Sequence, residues 1–205
     1  MIFEACVETF EEAIKARDNG AHRIELCSHL ELDGLTPSAE LTSKACRELG
    51  IPVMVMIRPR GGNFVHTEEE ILQMESDIRM AKGNGAAGIV FGLLTADNKI
   101  DVKNTGRLAA LAAPLPVTFH KAIDVLEDPV KGVEELMNIR GITRILTSGG
   151  KPTAKEGAWT IRRMMAAAGD QITMLVAGRV TRENVDEIAA LTGATELHGR
   201  RIVEM

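Results

Sequence analysis

Hydrophobic positions in this chain fall into eight short runs, separated by longer segments that carry helix signals. Each run is about four to seven residues long, the usual length of a strand. The predicted strands are Ile2–Val7, Arg23–Cys27, Val53–Arg58, Gly88–Leu93, Val117–Ala122, Arg144–Thr147, Thr173–Ala177 and Thr195–His198. The chain is therefore expected to alternate strand and helix from one end to the other.

The intervening segments begin and end with residues that cap helices. Three begin with a threonine followed three positions later by a glutamate, the pattern of a capping box. Two others place a capping side chain just before a proline, which suits the first helical position. The predicted N-caps are Thr9, Thr36, Thr67, Asp101, Asp128, Thr153 and Thr181. The predicted helix ends are Gly20, Gly50, Gly85, Gly141, Gly169 and Gly193, because glycine tolerates the left-handed conformation there.

A faint internal repeat supports one particular fold. Every second strand is introduced by a glycine and a small or apolar residue, at Gly20-Ala21, Gly85-Ala86, Gly141-Ile142 and Gly193-Ala194. Two βα units repeated four times predict a closed (β/α)₈ barrel of the TIM type, with residues 1–205 as a single domain. An open doubly wound sheet is the alternative, but no G-x-G-x-x-G motif follows the first strand.

The last strand is followed by too few residues for a full helix. Only Gly199–Met205 remain, so the eighth helix is expected to be missing or truncated. Seven helices around eight strands leave one flank of the barrel bare. A homodimer or a higher homo-oligomer would bury that flank.

Composition excludes several classes of partner. The net charge is −5, aromatic residues are 3% of the chain and tyrosine is absent. A nucleic-acid binder needs more positive charge and more rings for stacking, and no basic stripe suits an anionic membrane. No signal peptide is expected, because the first residues lack its cationic start and apolar run; no segment is long and apolar enough for a membrane span, and three cysteines are too few for a disulfide scaffold. A cytoplasmic protein with reduced thiols is expected.

Candidate chemistry lies on one face of the second strand, in the sequence HRIELCS at 22–28. Arg23, Glu25 and Cys27 alternate with Ile24 and Leu26, so a cation, a carboxylate and a thiol share a face. In a barrel this face points inward, and ligands bind at the carboxyl ends of the strands. The same alternation, applied to the other strands, predicts a set of mostly polar residues on the inner face of the barrel. They are Glu4, Cys6, Met54, Met56, Arg58, Thr118, His120, Thr147, Glu196 and His198.

This polar set supports an enzyme as one interpretation. Arg58 would hold a carboxylate or phosphate, and His120 would act as general acid or base with a pKa near the working pH. Glu25 or Glu4 would orient His120 or serve as the partner base. The candidate anion-binding residues are Arg23, Thr147, Ser148, Gly149, Gly150, Gly178 and His198. A buried ion network that only fills the barrel, and a barrel that serves as a scaffold, remain alternatives.

Several segments resemble one known family. They are GAHRIELCSHLELDGLTPS at 20–38, VMIRPRGGNFVH at 55–66, GIVFGLLTADNKID at 88–101, PVTFHKAID at 116–124, ILTSGG at 145–150 and ELHG at 196–199. With these segments the sequence resembles the CutC family of copper homeostasis proteins. It differs from the usual family pattern at His22, at Asp33, in LVAGRV after the seventh strand and in lacking an extra C-terminal segment.

The resemblance implies a (β/α)₈ barrel, often oligomeric, that binds Cu(I). It implies Cys6 and Cys27 as the copper ligands. Cu(I) prefers thiolates, and neighbouring strands are about 4.8 Å apart, so two inward cysteines can clamp one ion. Met sulfur or His120 would add a third ligand. Two hypotheses therefore stand: a Cu(I)-binding protein, or an isomerase, lyase or hydrolase that acts on a small anionic metabolite.

Overall fold

The computed structural model describes residues Met1–Met205 and contains a closed parallel barrel. Its strands are β1 (Ile2–Val7), β2 (Arg23–Leu26), β3 (Val53–Met56), β4 (Gly88–Phe91), β5 (Val117–Phe119), β6 (Ile142–Thr147), β7 (Thr173–Val176) and β8 (Glu196–Gly199). They follow one another around the barrel in chain order, and β8 pairs with β1. The predicted TIM-type barrel is confirmed, and the open sheet is excluded.

Seven α-helices surround the strands. They are α1 (Phe10–Asp18), α2 (Ala39–Glu48), α3 (Glu68–Gly83), α4 (Val102–Ala112), α5 (Pro129–Leu136), α6 (Ala154–Ala168) and α7 (Val185–Thr192). Short 3₁₀ helices follow β2 at Leu30–Leu32 and β5 at Lys121–Val125. No helix is long and apolar enough to cross a membrane.

Most of the predicted helix caps are confirmed. Thr67 and Thr153 form complete capping boxes, and Asp101 and Asp128 accept hydrogen bonds from backbone N–H groups in the first turn. Thr9 also caps its helix. Its glutamate partner three residues later instead accepts from the N–H of residue 8, so this box is incomplete.

Two predicted caps are wrong. Ser38 caps α2, whereas the Thr36 hydroxyl accepts from the Arg58 N–H at 2.9 Å and so ties this loop to the end of β3. The N-cap position of α7 is Asn184, whose Oδ1 accepts from the Thr181 N–H at 2.8 Å. In both segments hydrogen bonds at the barrel mouth hold the threonine before the helix begins.

The apolar core fills the layer between the strands and the helices. Residues on the outer face of each strand, such as Ile24, Val55, Ile89 and Ile145, belong to one large cluster with the helices. No helix follows β8, as predicted. The outer face of β8 is nevertheless covered, since its Leu197 is fully buried in the same cluster as Ile202 and Val203.

Candidate functional site

A cavity of about 790 Å³ opens at the carboxyl ends of the strands. Inner-face side chains reach it, including Cys6, Glu25, Met56 and His198. The parity read from the sequence correctly placed these side chains inside the barrel, where alternate strand residues point. In a barrel of this kind, the carboxyl-terminal mouth is where ligands bind.

Two thiols lie together below this cavity. Cys6 lies on β1, and Cys27 lies just beyond the end of the neighbouring strand β2. Their Sγ atoms are 3.9 Å apart. Glu25 Oε2 is 3.3 Å from Cys6 Sγ and 3.5 Å from Cys27 Sγ. Cys6 is 8% exposed and lines the cavity, whereas Cys27 is fully buried. An ion that enters from solvent therefore meets Cys6 first.

The two thiols differ in acidity. Hydrogen bonding from Cys27 lowers the pKa of Cys6 to about 5, assisted by His198 and Glu25 and opposed by burial. The same hydrogen bond, with burial, raises the pKa of Cys27 well above its usual value. At neutral pH the pair therefore holds one thiolate on Cys6 and one thiol on Cys27. A thiolate is the form of cysteine that binds metals.

A chain of buried acids and one histidine supports this thiolate. Glu4 Oε1 lies 2.8 Å from His198 Nδ1, and Glu25 Oε2 lies 3.7 Å from His198 Nε2. Burial alone would lower the pKa of His198, but the charge of Glu25 in its ionised form, together with hydrogen bonds to Cys6 and Glu4, raises it well above its usual value. Burial raises the pKa of Glu25, and its protonated carboxyl can donate to the Cys6 thiolate.

Deeper in the barrel the charges form an ion network with no access to the cavity. Arg23 donates to Glu4 and, at 2.5 Å, to Glu196, which also accepts from Arg144 at 2.9 Å. Neither arginine lines the cavity. Arg23 was a candidate anion-binding residue, and the structure instead gives it internal carboxylate partners. Sequence reasoning missed Arg144 because it placed Thr147, which has the opposite parity, on the inner face.

The predicted anion cradle at 147–150 is already filled by a carboxylate of the protein itself. Asp124 accepts from the backbone N–H groups of Ser148 at 2.9 Å and Gly150 at 2.8 Å. It also accepts from the Thr147 hydroxyl at 2.6 Å, while the Gly149 N–H donates to Thr147 Oγ1. Thr147 points outward, since its hydroxyl also contacts the Met164 sulfur in α6. The donors expected to bind an external anion are therefore occupied.

Gly178 lines the cavity, but the structure explains this glycine by close packing. A Cβ atom at this position would lie 2.7 Å from Ser148 Cβ and 2.9 Å from the Ala154 backbone nitrogen. Its φ of +103° also favours glycine. Gly178 therefore allows the loop after β7 to pack against the start of α6.

Arg58 and His120 line the cavity but lack the properties expected of catalytic groups. The Arg58 guanidinium donates to the carbonyls of Leu32, Asp33, Gly34 and Gly62, at 2.9 to 3.3 Å. It therefore fixes the loops after β2 and β3. Burial, with the charge of Arg58, lowers the pKa of His120 to about 3, so the expected pKa near neutrality is wrong. His120 Nδ1 accepts from the Ala122 N–H at 3.2 Å.

The donor atoms around the thiol pair can hold a metal ion. The ligand atoms of Cys6, Glu25 and Cys27 all lie within 4.8 Å of one another, as do those of Glu4, Glu25 and His198. With metal–sulfur bonds of about 2.3 Å, the observed sulfur separation corresponds to an S–metal–S angle of roughly 115°. That angle is close to trigonal, and a linear two-thiolate geometry would require the two sulfurs to move apart.

The two sets of donor atoms lie in different surroundings: the thiol set among apolar side chains, and the set of Glu4, Glu25 and His198 among charged groups. Cys6 and Cys27 form one apolar cluster with Met54, Met56 and Val90. Thiolates and thioethers are soft ligands that suit soft ions such as Cu(I), and thiolates also bind zinc. The second set is made of oxygen and nitrogen donors that are already paired with each other and with Arg23. The soft set therefore fits a soft ion, and the hard set has a structural role.

Comparison with known proteins identifies relatives along almost the whole chain. Residues 1–203 match the model of the CutC family. The copper homeostasis protein cutC homolog of Homo sapiens is 44% identical over 197 residues, which cover 96% of this chain and 72% of the human protein. A family protein CutC of Treponema denticola is 42% identical, over 95% of this chain and 79% of that protein.

A solved structure supports the same relationship. The crystal structure of a copper homeostasis protein CutC from Streptococcus agalactiae superimposes with a TM-score of 0.93 at 36% identity. It covers 99% of this chain and 100% of the solved chain.

Proposed function

Because this chain belongs to the CutC family of copper homeostasis proteins, we propose that it binds one Cu(I) ion through the thiolates of Cys6 and Cys27. The observation that carries the proposal is the pair of sulfurs 3.9 Å apart, with Cys6 at the base of an open cavity. Cys46, the third cysteine, lies in α2, away from this pair.

The surroundings favour Cu(I) over harder ions. Two methionines pack against the thiols, and the one carboxyl within reach, Glu25, has a raised pKa that favours its neutral form. A neutral carboxyl is a poor ligand for zinc or magnesium. It is a good hydrogen-bond donor to a thiolate, which makes the Cys6 sulfur available at neutral pH. Two sulfurs at a near-trigonal angle leave one coordination position for a further soft donor.

Charge balance also favours a monovalent ion. The pair carries one negative charge at neutral pH, because Cys6 is ionised and Cys27 is protonated. Binding Cu(I) releases the Cys27 proton and leaves a two-thiolate complex with a net charge of −1, the same as before binding. The buried site therefore accepts the ion without a change in net charge, which limits the cost of burying charge.

An anaerobic competition titration against a chromophoric Cu(I) chelator tests the proposal. The wild type is expected to hold one equivalent. Cys6→Ser and Cys27→Ser should each weaken binding by more than about a hundredfold, since changes that only support a ligand already cost up to that much. Cys46→Ser is the matched control and should bind as the wild type does. Tight binding that survives the Cys6→Ser, Cys27→Ser double variant would contradict the proposal.

A further inference from the structure

The cavity above the thiols has a cationic rim in a protein whose net charge is −5. Three arginines from the loops after β7 and β8 line its mouth: Arg179, Arg200 and Arg201. All three are exposed; Arg179 has no ion-pair partner, and Arg201 makes no close ion pair, although Glu183 lies within range of its charge. Arg200 has only long contacts, at 3.6 Å to Glu8 and 3.8 Å to Glu12.

The acidic residues of the cavity do not neutralise this rim. Asp124 is paired with Lys121 at 2.8 Å, and it also accepts the backbone N–H groups of the 147–150 loop. Glu25 lies at the base of the cavity against Cys6 rather than at the mouth, and Asp33, the third acidic residue of the lining, sets one carboxylate against three arginines. The free charge at the mouth is therefore positive, and such a field attracts anions.

A buried donor without a partner also lies in the cavity wall. Arg58 is 3% exposed, and its Nε–H has no acceptor, although its other nitrogens are hydrogen-bonded. An unpaired buried donor is unfavourable in the empty protein and becomes favourable when a ligand supplies the acceptor. Arg58 lines the cavity wall, so an oxygen-bearing ligand that displaced the wall at this point would supply the missing acceptor.

We propose that this cavity binds a small thiol that carries carboxylate groups, and that this thiol delivers Cu(I) to Cys6 and Cys27. The arginine rim would hold the carboxylates, because guanidinium groups match carboxylates in shape and charge. The sulfur of the carrier would reach the thiol pair at the cavity base. The inference rests on the proposed Cu(I) function for its copper step, but not for the binding of the anion.

The transfer is a ligand exchange without oxidation or reduction. A carrier complex in which two thiolates hold one Cu(I) meets Cys6, whose sulfur forms the first new bond as one carrier sulfur leaves. Cys27 then forms the second bond and gives its proton to a carrier thiolate. The products are Cu(I) on the two protein sulfurs, one carrier thiolate and one carrier thiol, so charge and protons balance.

Binding to the metal-free protein tests the anion site separately from copper. The probe is S-methylglutathione, which has the carboxylates but no free thiol. Calorimetry should show saturable binding that weakens roughly tenfold in Arg179→Ala plus Arg201→Ala, from two charge-assisted contacts. Binding should be unchanged in Cys46→Ser and in Arg162→Ala, an exposed arginine away from the mouth. No saturable binding, or equal binding in the rim variant, would overturn the proposal.

A phosphate arm and a copper arm complete the test. Inorganic phosphate that competes equally well would show a general anion site and would also overturn the proposal. In the copper arm, transfer from Cu(I)–glutathione should slow roughly tenfold in the rim variant. Transfer from Cu(I) held by uncharged 2-mercaptoethanol should not change, nor should the final Cu(I) affinity. The cysteine variants should lose Cu(I) affinity, whereas the rim variant should keep it. A wrong proposal about the arginine rim can therefore be told apart from a wrong proposal about the metal site.

Discussion

The carboxylate of Asp124 offers a stringent test of how the loop after β6 is built. It accepts two backbone N–H groups, two hydroxyls and the Lys121 ammonium, and its side chain is 10% exposed. In Asp124→Asn, an NH₂ group replaces one carboxylate oxygen. Both carboxylate oxygens accept from donors, so the NH₂ group faces a donor whichever way the amide is turned. One buried N–H loses its acceptor, and the charge that strengthens the other bonds disappears. The expected loss of stability is about 2–4 kcal/mol.

The assay is thermal unfolding followed by circular dichroism. For a chain of this size, 1 kcal/mol corresponds to about 2–4 °C in Tm, so Asp124→Asn should lower Tm by roughly 5–15 °C. Asp170→Asn, at an exposed turn without side-chain partners, should shift stability by less than about 0.5 kcal/mol. Asp124→Ala leaves the ring of donors empty, so added phosphate should raise its Tm more than that of the wild type.

The pH dependence gives the prediction a sign. Burial opposes ionisation of Asp124, but Lys121 and the ring of donors lower its pKa below the usual value. A carboxyl whose folded pKa is lowered contributes stability above its unfolded pKa, and this is lost as the pH falls through the folded pKa. The difference in Tm between the wild type and Asp124→Asn should stay constant from pH 8 to about 5 and become smaller below about pH 4. An unchanged Tm, or a gap that persists in acid, would refute the reasoning.

Three further predictions test packing, loop fixation and proton release. Gly157→Ala should cost more than about 3 kcal/mol in urea unfolding, because its Cβ would lie 1.8 Å from the Ser148 carbonyl oxygen. Gly106→Ala, in α4 with open space around it, should instead stabilise by about 0.5–1 kcal/mol, and equal effects would contradict the packing argument. Arg58→Ala should speed hydrogen exchange in the 30–34 and 61–63 loops while Cu(I) affinity changes less than about threefold; a Cu(I) site lost with Arg58 would show a role beyond loop fixation. Cu(I) affinity should rise about tenfold per pH unit between pH 6 and 8, since only the Cys27 proton is released; a hundredfold rise would show two ordinary thiols.

The barrel could be predicted because local signals and global topology agree. The apolar runs set the strands, and the capping residues set most helix starts within a residue or two. The predicted parity holds for Glu4, Cys6, Glu25 and His198, because alternation along a strand is a strict rule of geometry. The errors at Thr36 and Thr181 share one cause. Each threonine precedes a helix in sequence, but a residue of another loop holds it at the barrel mouth: Arg58 for Thr36 and, through a backbone bridge, Arg201 for Thr181.

The chemistry of single residues was harder to predict, because it depends on partners that are distant in sequence. Arg58 looks like an anion clamp until the carbonyls of the 32–34 loop are seen around it. The glycines at 149 and 150 look like a phosphate cradle until Asp124, from another loop, is found in it. Arg144 had a signal that was missed: an arginine inside an apolar run, three residues before Thr147, has the opposite parity.

X-ray absorption at the copper edge of the Cu(I)-loaded protein reports directly which atoms bind the copper. We expect one copper whose nearest ligands include the two thiolate sulfurs of Cys6 and Cys27 at a bent angle, with room for one more donor. Cys6→Ser should lose one sulfur from that shell, and Cys46→Ser should leave the spectrum unchanged. Copper bound only by nitrogen and oxygen, or a sulfur contribution that is identical in Cys6→Ser, would show that these thiolates are not the copper ligands.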